Sequence, residues 1–129
     1  MSKTIFERII EGEIPSRMVY EDEKVVAFLD VDQSEAGHLL VVPRVAVDKF
    51  YDVDEVTWVH LMKVSQKLAK RLEKATGLRT LLKIIGTDVP HTHVHLVPLE
   101  KVRGEMQGEN ALGGKTDDEI QETIMEAEE

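Results

Sequence analysis

The chain has 129 residues, of which 42% are hydrophobic and 32% charged, and this balance suits a single compact domain. It contains no cysteine, which excludes disulfides, thiolate zinc sites and cysteine nucleophiles, so any metal would be held by His, Asp or Glu. The formal net charge of −9 is uneven, because residues 105–129 carry nine acidic residues and one lysine and leave only −1 for residues 1–104.

This distribution of charge limits the partners that we expect. A nearly neutral body lacks the broad basic footprint of a nucleic-acid binder, yet it does not repel a phosphate-bearing substrate. The N-terminal stretch carries charges throughout, unlike a secretory signal. No apolar run approaches the roughly 20 residues that span a bilayer. We therefore predict a cytoplasmic protein that binds neither nucleic acid nor membranes.

The first part of the chain predicts a short helix followed by three strands. Thr4 and Glu7 have the spacing of a capping box and precede apolar residues at helical spacing, which predicts a helix near residues 4–11. β-Prone runs separated by polar connections predict strands at 19–20, 25–29 and 38–42. Pro43 then ends the third strand.

A long amphipathic helix and two more strands follow. Between residues 54 and 76, apolar residues recur every three or four positions, and Gly77 closes the helix. The runs 78–85 and 91–98 predict two further strands. Strands with one long helix between them indicate an α+β fold with an antiparallel sheet.

Residues 105–129 are predicted to form an acidic linker and tail helix outside a domain of residues 1–104. Four glycines and no periodicity between residues 101 and 115 are typical of a linker. Thr116 then begins an acidic helix with Ile120 and Ile124 on one side. This narrow apolar edge leaves three possibilities open: docking on the body, docking on another subunit, or a frayed, solvated tail.

The most informative stretch contains three histidines at alternate positions, His91, His93 and His95. Alternate residues of a strand share one face, so the three imidazoles are predicted to lie in a row. Three of the chain's five histidines share this spacing, which makes incidental surface or core histidines a poor explanation. Metal binding is an alternative, but a tetrahedral ion needs ligands that converge. The row therefore favours contact with a phosphate.

This triad and the segments before it resemble the histidine-triad family of nucleotide hydrolases and transferases. His-x-His-x-His followed by two apolar residues is that family's signature, and the similarity extends over residues 4–98. It runs through ordered segments at 4–10, 13–15, 20–22, 27–30 and 37–43. The resemblance implies an α+β fold with a five-stranded antiparallel sheet, one long and one short helix, and a homodimer; the acidic tail helix is added to that fold.

The resemblance also implies roles for the histidines. His93 would attack the α-phosphorus of a nucleoside phosphoramidate or a dinucleoside polyphosphate, giving a nucleotidyl-histidine that water then cleaves. His91, His95 and His38 would supply hydrogen bonds to the phosphoryl oxygens and a proton for the leaving group. This chemistry requires no metal and no cofactor.

The same resemblance implies a binding site for a purine nucleotide such as AMP or GMP. Asp30 would accept hydrogen bonds from the ribose hydroxyls, although a turn cap would equally explain a short carboxylate there. Apolar residues that could instead serve only the core would form the slot for the base. They are Ile5, Phe6, Ile9, Phe28, Leu29 and Val31.

The sequence departs from the family before the triad, where a longer glycine-rich stretch with small polar residues is usual. Asp88 lies near the position at which family members carry the small polar residue that donates to the phosphate, and an ionised carboxylate there would repel a phosphate. Asp88 either orients His38 or His91 or points to solvent. Some relatives hold zinc through N-terminal cysteines, which are replaced here by Thr4 and Glu7.

We therefore predict a metal-independent nucleotide phosphoramidase, hydrolase or nucleotidyl transferase that acts through His93. The alternative from another class is a nucleotide-binding regulatory or interaction module with negligible turnover, which Asp88 and the short connection of residues 86–90 before the triad favour. A metal-dependent hydrolase ranks third. The apolar slot does not distinguish adenine from guanine.

Overall fold

The computed structural model describes residues 2–127 and contains the predicted five-stranded antiparallel sheet. In spatial order the strands are β1, β2, β3, β5 and β4. Their bounds are β1 (Met18–Glu21), β2 (Val25–Leu29), β3 (Leu39–Pro43), β4 (Arg79–Ile84) and β5 (Val94–Leu99). The α+β fold class predicted from the sequence is confirmed, and Pro43 is the last residue of β3, as its missing N–H requires.

The predicted helices begin and end where their caps are. Helix α1 (Ile5–Ile10) starts at a complete capping box between Thr4 and Glu7. Helix α2 (Glu55–Thr76) ends at Gly77, whose φ of 76° is the left-handed conformation that glycine adopts at low cost. A 3₁₀ turn at Phe50–Asp52 precedes α2. Within residues 2–127, no helix is long and apolar enough to cross a bilayer.

Both faces of the sheet are covered, and each packs against different elements. Alternate residues of β2 and β3 point to opposite faces. Val25, Ala27, Leu29, Leu39 and Val41 pack with α2 in the larger core cluster. Val26, Phe28, Leu40 and Val42 pack on the other face against Phe6 and Ile9 of α1. His95 lies opposite Leu40 in the β3–β5 register, so it belongs to the α1 face.

The acidic segment packs on the body of the same chain. It forms a hairpin of β6 (Lys101–Val102) and β7 (Glu105–Met106), a loop, and helix α3 (Asp117–Glu126). Leu112, Ile120 and Ile124 are at most 1% exposed and lie in the larger core cluster, so the first of the three possibilities holds for this tail. The predicted domain of residues 1–104 and the predicted tail of residues 105–129 each extend slightly beyond the described residues, which leave out Met1, Glu128 and Glu129.

The last predicted strand is shorter than expected, because β5 begins at Val94 rather than at residue 91. The N–H and the hydroxyl of Thr92 both donate to the carbonyl of Val47, at 2.7 Å each. These bonds hold the chain at Thr92 against the loop that follows β3, so the neighbouring residues do not join the ladder of β5. The prediction of three histidines on one regular strand is therefore wrong for His91 and His93.

Candidate active site

A cavity of about 440 Å³ lies on the α1 face, between α1, the end of β2 and the histidine segment. This volume falls within the range of small-molecule sites. Most of the predicted site residues line it, namely Ile5, Phe6, Ile9, Phe28, Leu29, Asp30, Val31, Asp88, His93 and His95. His38 and His91 lie outside its lining. The sequence analysis missed the lining residues Ile14, Pro15, Ser16, Arg17, Leu40, Ile85, Val89 and Asp117.

His93 lines the cavity with one ring nitrogen held in place. Its Nδ1 lies 2.7 Å from the carbonyl oxygen of His91. A carbonyl only accepts, so Nδ1 carries the proton and, in the neutral ring, Nε2 keeps a free electron pair. The ring of Phe6 packs edge-on against the imidazole, with centroids 4.8 Å apart. The side chain is thereby fixed in the tautomer that a nucleophile at Nε2 needs.

His91 is fully buried, and both of its ring nitrogens have protein partners. Nε2 donates to the carbonyl oxygen of Pro43 at 2.7 Å, so Nδ1 accepts from the hydroxyl of Thr4 at 2.8 Å. Thr4 Oγ1 in turn accepts the N–H of Glu7 from the capping box. The ring thus connects α1 to the end of β3 and fixes the backbone carbonyl on which His93 depends, instead of facing the cavity.

His38 and His95 form a hydrogen-bonded pair beside His93. His38 Nε2 lies 2.9 Å from His95 Nδ1, so the two nitrogens share one proton. His95 packs beside His93 with the two rings tilted and their centroids 4.9 Å apart. His38 follows Gly37, where a Cβ would lie 2.9 Å from Leu72 Cδ1 and φ is +102°. The turn that brings His38 to its partner therefore requires glycine.

Burial keeps these imidazoles uncharged. Burial, followed by the proximity of His93 and His38, lowers the pKa of His95 to about 4. Desolvation likewise lowers the pKa of His38 and of His91, although the carboxylate of Asp30 opposes the effect at His38. Near pH 7 the pair and His91 are neutral, so they act as hydrogen-bond donors and acceptors rather than as fixed positive charges.

This pattern predicts that folding stability decreases as the pH falls from about 7 to about 5. The folded pKa of His95, about 4, lies below its ordinary value of 6.5. Between these values the unfolded chain binds a proton that the folded chain excludes, so acid favours unfolding. The urea midpoint should be lower at pH 5 than at pH 7, and the variant His95→Gln should reduce the difference. An equal or higher midpoint at pH 5 would contradict this expectation.

Asp30 directly follows β2 and lies beside the histidine pair. One carboxylate oxygen accepts the N–H of Asp32 at 2.8 Å, and the other lies 3.7 Å from His38 Nε2. The backbone N–H of Asp30 also bonds the carbonyl of His38 at 3.0 Å. The carboxylate therefore both caps a turn and borders the cavity, so the two explanations of this residue are compatible.

Asp88 is exposed at the border of the cavity. His38 Nε2 and both ring nitrogens of His91 bond other groups, so hydrogen bonds from Asp88 to these three nitrogens do not orient the rings. Arg17 and Asp117 are 100 residues apart in the chain, so no local pattern connects them, yet they meet at the same cavity with 3.8 Å between their charged groups. The acidic tail thus reaches the site.

Comparison with known proteins assigns this arrangement to a family. A family model described as the HIT domain matches residues 11–102. The chain belongs to the HIT family. The resemblance found in the triad and the segments before it is thereby confirmed.

Related proteins of the HIT family cover most of the chain. An adenosine 5′-monophosphoramidase of Saccharomyces cerevisiae is 34% identical over 96 residues, covering 73% of this chain and 61% of that protein. An adenylylsulfatase of Arabidopsis thaliana is 36% identical over 105 residues, covering 74% and 71%. A solved HIT-like protein of Bartonella henselae matches with a TM-score of 0.82 at 30% identity, covering 97% of this chain and 96% of that one. This last similarity extends beyond residues 11–102, so it includes most of the tail.

Proposed function

We propose that the protein is a hydrolase that cleaves a nucleoside phosphoramidate or a dinucleoside polyphosphate at the α-phosphorus, through a covalent intermediate on His93. The observation that carries the proposal is the bond from His93 Nδ1 to the carbonyl of His91, which leaves Nε2 available in a ring that lines the cavity. The relatives named as a monophosphoramidase and an adenylylsulfatase support nucleotide hydrolysis on this fold.

The proposed reaction has two steps. His93 Nε2 attacks the phosphorus, the bond to the leaving nitrogen or oxygen breaks, and the leaving group takes a proton. Water then attacks the nucleotidyl-histidine, releasing a nucleoside monophosphate and restoring the imidazole. Because both steps exchange one phosphorus bond for another, no oxidant or reductant is needed.

We assign to His95 the proton that the leaving group takes in the first step. Asp30 lies 3.7 Å from His38 Nε2 and favours the proton of the histidine pair on that nitrogen. His38 then donates to His95 Nδ1, and the neutral ring of His95 carries its own proton on Nε2. His95 lines the cavity, so this proton can pass to the leaving group while His38 passes its own to His95 Nδ1, and the water consumed in the second step returns a proton to the pair. His91 serves as a positioning residue for His93.

The apolar end of the cavity suits a purine base. Val31 is 98% exposed and Ile5 is 49% exposed, although both line the cavity, so packing within the chain does not explain them. A stacked base would cover both. Phe6 and Phe28 are buried and form the floor of the slot while also belonging to the core on this face. AMP and GMP remain equal candidates, with Asp30 on the ribose.

A metal-free assay tests the proposed function. The protein is incubated with adenosine or guanosine phosphoramidate in the presence of a chelator, release of the monophosphate is followed, and nucleotidyl-histidine is trapped for mass spectrometry. Hydrolysis with label on His93 is expected. Tight binding of a monophosphate without label or turnover would instead support the regulatory or interaction module, and activity that requires added metal would support the metal-dependent alternative.

We further propose that two copies pair through β4. This strand is at the edge of the sheet, and its residues Leu81 and Leu82 and the following Ile85 are 38–42% exposed. A free, apolar edge is covered most simply by the same edge of a second copy. Leu82→Asp should therefore convert a dimer to a monomer in light scattering at micromolar concentration. Met106→Asp, at a site that is 60% exposed elsewhere, is the matched control. A monomeric unmodified protein would refute the pairing.

A further inference from the structure

Two charged residues that line the cavity, Arg17 and Asp117, have no role in the proposed reaction. We propose that this pair contacts the base of the bound nucleotide and makes the site prefer guanine to adenine. The position of the nucleotide rests on the proposed function. The preference goes beyond that function, because the apolar slot by itself does not distinguish the two purines.

The sheet separates Arg17 from the histidines by the length of a nucleotide. Four paired residues form a row from β5 across β3 and β2 to β1: His95, Leu40, Phe28 and Met18. The row spans three strand spacings, or about 14 Å. Arg17 directly precedes Met18. This span is close to the length of a nucleoside monophosphate with a contact at each end, so a phosphorus at the histidines places the far edge of the base beside Arg17.

The polar residues that line the cavity fall into two groups. One group lies at the proposed phosphate and ribose positions and consists of Asp30, Asp88, His93 and His95. The other group consists of Ser16, Arg17 and Asp117. A serine hydroxyl both donates and accepts, so Ser16 suits any base. Discrimination between bases therefore depends on Arg17 and Asp117.

The side chains of Arg17 and Asp117 lie close together without saturating each other. Arg17 Nε donates to Asp118 at 2.9 Å, which orients the guanidinium plane and leaves its terminal nitrogens for other acceptors. Arg17 Nη1 lies 3.8 Å from an oxygen of Asp117, which is longer than a hydrogen bond. The two side chains are 44% and 45% exposed, so a base can reach both. A donor and an acceptor are thus available side by side at the cavity.

A donor beside an acceptor complements the edge of guanine better than the edge of adenine. Guanine carries the O6 acceptor next to its N1–H and 2-amino donors, so a carboxylate can accept two parallel hydrogen bonds while a guanidinium donates to O6. Adenine has no 2-amino group and no N1–H, so its 6-amino group gives the carboxylate one bond at most. Repulsion between Asp117 and the phosphate is weak, because about 14 Å exceeds the Debye length of about 8 Å at physiological ionic strength.

Calorimetry with nucleoside monophosphates tests base recognition without relying on turnover. GMP should bind the full chain about tenfold more tightly than AMP, and inosine monophosphate, which lacks the 2-amino group, should bind more weakly than GMP. Asp117→Asn should abolish the preference for GMP and improve the binding of xanthosine monophosphate, because an amide can donate to the 2-carbonyl that a carboxylate repels. Glu122→Gln is the matched control, since it removes the same charge from an exposed position of α3 outside the cavity lining.

The outcomes separate this inference from the proposed function. AMP that binds as tightly as GMP, or a preference for GMP that survives Asp117→Asn or disappears in Glu122→Gln, would overturn base recognition by the pair. Loss of GMP binding in Asp117→Asn without a gain for xanthosine monophosphate would also overturn it, because a merely structural change gives that pattern. Hydrolysis of adenosine and guanosine phosphoramidates with equal kcat/KM leaves the function intact and refutes the inference. Preferential GMP binding that depends on Asp117, without any turnover, supports the inference and refutes the hydrolase.

Discussion

Replacing His93 with alanine is expected to lower kcat for phosphoramidate hydrolysis by about 10⁴-fold or more. The substitution removes the only side chain that bonds to phosphorus in the proposed mechanism, and water attacking directly would lack the position that Nε2 has beside the cavity. Nucleotidyl-histidine should disappear from the mass spectrum in the same variant. Steady-state rates and trapping, measured in parallel with a chelator present, check both results.

Two further variants separate loss of the nucleophile from loss of the fold. His93→Gly with added imidazole should recover part of the rate, because a free imidazole can occupy the space that the side chain leaves. His60→Ala, at a histidine outside the cavity lining, should retain the unmodified rate. A His93→Ala protein that keeps its melting temperature and loses less than tenfold in kcat would refute the covalent mechanism.

Local patterns in the sequence predicted most of the fold. Capping boxes at Thr4 and Thr116 mark the beginnings of two helices, and both are complete in the structure. Apolar, β-prone runs predicted the strands β2 and β3, and every residue of both strands is buried in the structure. These signals depend on neighbours within about four residues, so a single sequence contains them.

The arrangement of the triad depends on contacts that no local pattern shows. His91 is bonded to Thr4, 87 residues away, and to Pro43, 48 residues away. The hydroxyl of Thr92 donates to the carbonyl of Val47, and this bond keeps the neighbouring residues out of the sheet. The alternate spacing of the histidines therefore predicted the right residues but the wrong backbone conformation. It also did not show that His91 is buried and structural, whereas His93 lines the cavity.

The tail was the least predictable part, because the narrow apolar edge of its helix left three possibilities open and only one of them places it in the core of the same chain. Ile120 and Ile124 are at helical spacing, which predicts a helix but says nothing about the surface that it covers. The structure supplies that surface from α2 and β1. Arg17 connects the same helix to the cavity through Asp117 and Asp118, at 3.8 and 2.9 Å.

Ile124→Ala is accordingly expected to destabilise the protein by about 2–5 kcal/mol, the usual range for deleting a buried aliphatic side chain. Ile124 is 0% exposed in the cluster that contains α2, so the substitution leaves a cavity in the main core. Met125→Ala is the matched control, because the neighbouring side chain is 49% exposed and its loss should change the free energy of unfolding by about 0.5 kcal/mol at most. Urea denaturation of the three proteins measures both values. A frayed tail would make the two variants equal, whereas a tail that completes the core separates them by several times the control's change.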